Sequence, residues 1–328
     1  MSGPSLDAPV RTTAAAPPPN ASSPHGRTPH RLRADCTTHG DGSLTFDVRL
    51  SDETGKKAAA PEADEHAAVL LRLRHHHGPD ASLSLPLTPA ATDGGLRATL
   101  PATTWLREGR WDAYLAQGDE EPQRLLPGVH DLRSLLGGAH VDARAWLGVR
   151  IPYTTKHGNL TIRTWVRRPH AEAGTLRIDD ATIALHGTLY GAQLSATACL
   201  EARPRDSAAP PVRIPVRPAQ EEHSGRETAP QHTPGPHHPQ HGFAAELPFT
   251  ALLPGHRIWD LWLRPSADEE PVRVARILDD IPDKKHVFSY PSRHVASPDG
   301  TAHAVRPYYT VNNNLSVRVS YEAAKQEG

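Results

Sequence analysis

From Leu32 onward, apolar and polar residues alternate in short runs. In S-L-T-F-D-V-R-L the side chains of Leu44, Phe46, Val48 and Leu50 fall on one face, and V-L-L-R-L-R, S-L-S-L-P-L and L-R-A-T-L-P keep the same two-residue period. Gly, Pro and Asp punctuate these runs, a pattern that predicts half-buried antiparallel strands. R-W-D-A-Y-L extends the pattern, with Trp111, Ala113 and Leu115 on a core face and Asp112 and Tyr114 on the outer one. No helical period persists beyond about two turns, so the expected class is all-β.

The pattern occurs twice. P-Y-T-T-K-H-G-N-L-T-I-R, from Pro152, is echoed by P-Y-Y-T-V-N-N-N-L-S-V-R, from Pro307. G-R-W-D-A-Y-L is echoed by H-R-I-W-D-L-W-L, and L-R-A-D from Leu32 by L-R-I-D from Leu176. The three echoes keep the same order at an offset of roughly 150 residues, which predicts a duplicated structural unit. The expected organisation is a disordered tail (1–30) and two tandem immunoglobulin-like β-sandwich domains (31–168 and 169–321), followed by a short tail (322–328). Proline density in Q-H-T-P-G-P-H-H-P-Q-H predicts a disordered His/Pro-rich insertion at about 218–241. Trp111 and Trp259 would be matching core aromatics, and Leu160, Ile162 and Thr164 would share one face of their strand, opposite Thr161, Arg163 and Trp165.

The chain has 328 residues, enough for two cores. Its 33 prolines and 24 glycines fit unpacked segments beside the folded ones. A net charge of −1 argues against a broad basic surface for nucleic acid or lipid. The first residues lack the basic and apolar regions of a secretory signal, and no apolar run approaches the ~20 residues of a membrane span. The expectation is a cytoplasmic protein, held at a membrane only through a partner. Cys36 and Cys199 fall at non-equivalent positions and read as inert thiols rather than a disulfide.

Candidate chemistry is sparse. His75, His76 and His77 are consecutive, and His223, His232, His237, His238 and His241 cluster in the insertion. They could take up metal, but a disordered loop offers no rigid support, so no metal site or cofactor is expected. Asp279, Asp280, Asp283, Lys284 and Lys285 form a charged run that reads as a solvated turn, an interaction surface or an acid-base site. Asn159 and Asn314 match the glycosylation acceptor pattern but read as turn residues whose side chains cap backbone amides. Tyr114, Trp165 and Trp262 are outer-face aromatics that could stack on sugars or be covered by the other domain. No nucleophile elbow, triad or phosphate loop is present in the sequence, so no catalytic residue is assigned.

G-T-L-Y-G-A, W-D-L-W-L, R-I-L-D-D-I-P-D-K-K-H-V-F-S-Y-P and P-Y-Y-T-V-N-N-N-L-S-V-R together resemble β-rich proteins of high-GC Gram-positive bacteria, many labelled only "transferase". They are similar to the accessory β-sandwich modules that accompany family 2 glycosyltransferases and CDP-glycerol glycerophosphotransferases in the synthesis of teichoic-acid-like surface polymers. The resemblance covers about 30 to 321, outside the His-rich stretches, and is stronger in the second half. It implies a non-catalytic accessory protein that docks to a membrane-associated glycan or glycerophosphate transferase, or to its polymer. The alternatives are a transferase with a site between the two domains, built on the Asp279–Lys285 run, and a metal-binding protein acting through its histidines.

Overall fold

The computed structural model describes residues 31–51, 66–90, 95–136, 147–219, 241–253 and 255–321. The expected tails and residues 220–240 of the His/Pro-rich insertion lie outside the described residues. The first half contributes β1 (Arg31–Thr38), β2 (Leu44–Ser51), β3 (Ala68–Leu73), β4 (Ser82–Pro86), β5 (Thr88–Pro89), β6 (Leu96–Leu100), β7 (Gly109–Ala116), β8 (Gln123–Arg124), β9 (Leu126–Asp131), β10 (Leu147–Thr154) and β11 (Leu160–Arg167). The second contributes β12 (His170–Ile178), β13 (Thr182–Tyr190), β14 (Cys199–Pro204), β15 (Val212–Pro215), β16 (Arg217–Pro218), β17 (His241–Pro248), β18 (Ile258–Arg264), β19 (Val272–Ala275), β20 (Arg293–Ala296), β21 (Ala302–Tyr309) and β22 (Leu315–Tyr321). A four-residue helix, α1 (Lys284–Val287), and three 3-10 turns complete the described elements.

The fold is an all-β sandwich architecture. In the first half, sheets of order β5-β6-β2-β1-β9 and β10-β11-β7-β3-β4 enclose one core. Phe46 and Val48 reach it from the first sheet, and Leu71, Trp111 and Leu115 from the second. The second half repeats this order as β16-β17-β13-β12-β19 and β21-β22-β18-β14-β15. There β19 pairs with both β12 and β18, joining the two layers, and β20 is added at the edge. Among the described residues no strand pairs across the two halves.

Register tests the echoes residue by residue. Trp111 lies opposite Leu73 and Ile162, and Trp259 opposite Pro204 and Val317. Both indoles are buried, and each donates to a backbone carbonyl of the preceding loop at 3.0 Å: Trp111 to Arg107, Trp259 to Leu252. The two P-Y echoes end in the same turn: Thr155 and Thr310 each use their hydroxyl to hold the amide of Asn159 or Asn314. Gly158 and Asn313 take the left-handed position, at φ 76° and 57°. The threonines cap and the preceding residue bends, so Asn159 and Asn314 are not the capping residues that the sequence suggested.

The L-R-A-D and L-R-I-D echo does not survive. Leu32 pairs with Leu50, whereas Leu176 pairs with Leu185, which occupies the place of Phe46, so the counterpart of Leu176 is Cys36. A bulge between Ala173 and Leu176 hides the true register in the sequence.

A third apolar cluster joins the halves: Leu135, Val149, Ile151 and Trp165 from the first, Ala275 and Ile277 from the second. Residues 160–165 of β11 are therefore buried on both faces rather than alternating. Polar ties flank the cluster, with the Arg163 Nη2 donating to Asn312 Oδ1 at 2.9 Å and Arg167 Nη1 to Asn314 Oδ1 at 3.1 Å.

Candidate functional site: a cationic groove where the halves meet

On the outer face of each half stands the same charged assembly. In the first, the Asp112 carboxylate accepts from Arg74 Nη2 at 2.5 Å, Arg74 Nε at 3.1 Å and the Thr161 hydroxyl at 2.8 Å, with Arg124 Nη2 at 3.0 Å. In the second, Asp260 accepts from Arg205 Nη2 at 2.6 Å, Arg205 Nε at 3.2 Å and the Ser316 hydroxyl at 2.8 Å, with Arg273 Nη2 at 2.7 Å. Register makes these one arrangement built twice. Burial alone would raise both carboxyls, but the guanidinium and hydroxyl contacts outweigh it and hold each below its ordinary range. Arg273 is itself pulled down, to about 10, chiefly by burial, with Asp260 opposing.

The matching aromatics lie beside these assemblies. Tyr114 is flanked by the guanidiniums of Arg72 at 5.3 Å and Arg124 at 4.8 Å, and Trp262 by those of Arg203 at 5.3 Å and Arg273 at 5.4 Å. Both are half-buried rings between cations rather than bare outer faces. Trp165, expected on an outer face, is 0% exposed. It packs in the cluster between the halves with Arg163 over it at 4.7 Å, so it offers no free face for a sugar.

The Asp279–Lys285 run is not a uniformly solvated turn. Lys284 is buried, its ammonium donating to Asp279 Oδ1 and the Ile281 carbonyl, and Arg276 also reaches Asp279 at 3.2 Å. Burial lowers the Lys284 ammonium from its ordinary range and Asp279 opposes that shift. Asp283 caps α1 by accepting from the Lys285 amide at 3.1 Å, Asp280 is half-buried, and Lys285 is exposed. Asp279, Asp283 and Lys284 thus have structural tasks, and of the run's charged residues Asp283 lines the groove described next, together with the adjacent His286.

That groove, of about 730 Å³, opens between the first half's outer face and the Pro282–His286 segment. Arg74, Arg110, Arg124, Lys156, His157 and His286 line it, against only two carboxylates, Asp112 and Asp283. Asp112 is already matched by two guanidiniums, so the net field in the groove is positive. Tyr153, Thr154 and Thr155 give it an uncharged wall.

Arg74, Arg110, Arg124, Lys156 and His157 were not among the residues that the sequence pointed to. A signal was present in the echo itself: Lys156 and His157 of the first turn are Val311 and Asn312 in the second, and Arg110 is Ile258. Charge appears where one copy has it and the other does not. The His75–His77 run lies in an exposed turn with His75 at φ 61°. His223, His232, His237 and His238 lie outside the described residues. Cys36 and Cys199 are both free thiols, and burial raises the Cys36 pKa.

Fold and site together define a two-sandwich β protein with a cationic groove at its seam. No family model matches the chain. No curated protein matches it either. Among solved structures it is similar to a fragment of S. aureus TarS (residues 217–571) at 17% identity and TM-score 0.33, over 48% of this chain and 40% of that one. It is also similar to S. aureus TarS at 14% identity and TM-score 0.34, over 53% and 28%. A marsupial T cell receptor matches at 10% identity and TM-score 0.19, over 90% and 93%. The matched part is less than half of either TarS chain, and nothing about function is drawn from likenesses this distant. No helix among the described residues is long and apolar enough to cross a membrane.

Proposed function

We propose that this chain is a non-catalytic binding module of surface-polymer synthesis, one that holds an anionic, hydroxyl-rich polymer of the teichoic-acid type for a partner transferase. The observation that carries this reading is the charge of the groove, where Arg110 and Lys156 line the same space as an aspartate already neutralised by Arg74 and Arg124, with His157 and His286 beside them. Fixed cations facing solvent attract phosphodiesters, and Tyr153 with Thr154 and Thr155 suits polyol hydroxyls. The resemblance of W-D-L-W-L and the Arg276–Pro291 segment to transferase-associated sandwich modules supports the same polymer class. The two carboxylates at the groove are engaged, one by guanidiniums and one as a helix cap, which favours holding over acid-base turnover.

Calorimetric titration with poly(glycerol phosphate) is the direct test. Binding should weaken steeply with added salt. Lys156→Glu should lower affinity by roughly tenfold, the order expected for reversing one charge near a phosphate. Transfer of glycerophosphate from CDP-glycerol by the purified chain, lost in Asp283→Ala, would favour the transferase reading instead. Wild-type protein that binds no anionic polymer at low salt would end the proposal.

A further inference from the structure

Glu201 stands on the outer face of β14 with its side chain 0% exposed, enclosed by three guanidiniums. Arg203 Nη2 approaches it at 2.6 Å, Arg264 Nε at 2.7 Å and Arg213 Nε at 3.1 Å. Burial pulls its carboxyl up, but the three arginine hydrogen bonds outweigh that and hold it ionised. Within the cluster one carboxylate faces three guanidiniums; Arg264 also donates to the Glu269 carbonyl at 2.6 Å and feels Glu270, so the excess positive charge lies mainly on Arg203 and Arg213. Arg213 turns 61% of its side chain to solvent and Arg203 35%, and Arg203 also covers the half-buried Trp262.

The first half provides an internal control for what this cluster is for. Strands β4, β3 and β7 pair in the same register as β15, β14 and β18. At the positions of Arg213, Glu201 and Arg264 they carry Ser84, Leu70 and Ala116. Arg203 alone has a charged counterpart, Arg72, which lies over Tyr114 as Arg203 lies over Trp262; the same three-stranded ladder therefore forms without the other three charges. By contrast, the Asp112 and Asp260 assemblies occur in both halves. A charged cluster that the fold does not need, on an exposed face and with cation in excess, is built for something outside the fold.

We propose that Arg203, Arg213 and Arg264, held in place by Glu201 beside Trp262, form a second anion site that takes a phosphodiester group of the polymer bound in the groove; this rests on the polymer-binding reading above. Planar guanidiniums suit phosphate oxygens through paired N–H donors, and the shared carboxylate fixes their planes in advance. Two sites on one chain make binding depend on polymer length, because a polymer long enough to reach both engages the second at high effective concentration.

The test uses the full chain and the triple variant Glu201→Leu/Arg213→Ser/Arg264→Ala, which installs the first half's own residues and should keep the ladder; circular dichroism melting checks this. The probes are poly(glycerol phosphate) of about 4 and about 30 repeats, with inorganic phosphate as competitor. The wild type should bind the long polymer at least roughly tenfold more tightly than the short one, a conservative figure for linked sites. The folded triple variant should lose most of that gain while binding the short polymer as before. A folded variant that keeps the full length dependence overturns the second site and leaves the groove reading intact. Displacement of the long polymer by inorganic phosphate at equal phosphate concentration would also overturn it, since it would assign the cluster to the free anion. Wild-type protein that binds neither polymer removes the groove reading, and this inference with it.

Discussion

Replacing Asp112 by Ala removes the acceptor that two guanidiniums and a hydroxyl share, and leaves Arg74 and Arg124 facing each other without a counter-charge. Loss of one partner from a fully buried ion pair costs about 3–5 kcal/mol, whereas an exposed pair contributes about 0–1 kcal/mol. Asp112 is 16% exposed, Arg74 33% and Arg124 24%, so solvent screens part of the penalty. An intermediate cost of about 2 kcal/mol follows. The second half makes the prediction sharper. Asp260 is 19% exposed, Arg205 34% and Arg273 13%, so Asp260→Ala should cost the same amount to within about 1 kcal/mol.

Urea denaturation at neutral pH, followed by tryptophan fluorescence, measures both, since Trp111 and Trp259 adjoin the two aspartates in sequence. A cost below about 0.5 kcal/mol at either site, or a large effect at one and none at the other, would refute the view that both halves are held by one device. The pH dependence gives a second check. Both carboxyls are held below their ordinary range, so each contributes stability that is fully present above the unfolded value near 3.9 and is lost as pH falls through the lower folded value. Asp112→Asn and Asp260→Asn should therefore flatten the loss of stability seen below about pH 4.

Three further perturbations probe the seam and the sheets. Trp165→Ala should cost about 3–5 kcal/mol as a core truncation and speed hydrogen exchange at the Ile277 amide, whose bond to the Glu172 carboxylate at 2.9 Å lies in the segment packed on the ring. Lys284→Met should be close to neutral in thermal melting, while Asp279→Ala, which strands the buried ammonium, should destabilise by about 3 kcal/mol. Gly187→Ala should cost about 1–3 kcal/mol in the same assay, because a Cβ there would clash with the Phe243 ring and lie 2.6 Å from the Glu172 carbonyl oxygen.

The parts of the fold legible in the sequence are those where one face is solvated. Leu44, Phe46 and Val48 alternate with polar neighbours because β2 has a wet side, and Trp111, Ala113 and Leu115 do so in β7 for the same reason. The second core tryptophan, Trp259, was readable from its echo. Trp165 was not, since a strand covered on its outer face by another part of the chain still alternates Thr and Arg with apolar residues. Nothing in T-I-R-T-W-V announces the Ala275 and Ile277 that cover it. The beginning of the second half was misregistered because a bulge inserts one extra residue between Ala173 and Leu176, and Gly174, which marks it, reads in the sequence as an ordinary turn boundary. The groove escaped for another reason: Arg74, Arg110, Arg124 and Lys156 come from four separate segments, and only the ladders of β3, β7, β8 and β11 bring them together.

Duplication also separates the residues that make the sandwich from those that distinguish its halves. Tryptophan, aspartate, the paired arginines and the Thr or Ser hydroxyl recur at matched register, and each closes a bond inside its own half. The turns diverge: in the second half Asn312 and Asn314 tie to Arg163 and Arg167, and Asn313 accepts from the Lys284 amide at 3.0 Å. That turn is committed to the seam. Its counterpart carries Lys156 and His157 at the exposed mouth of the groove. Of the two turns, the one docked at the seam spends its polar side chains on the other half and the remaining one carries charge at the groove, while the second half's outer face has its own charges at Glu201, Arg213 and Arg264.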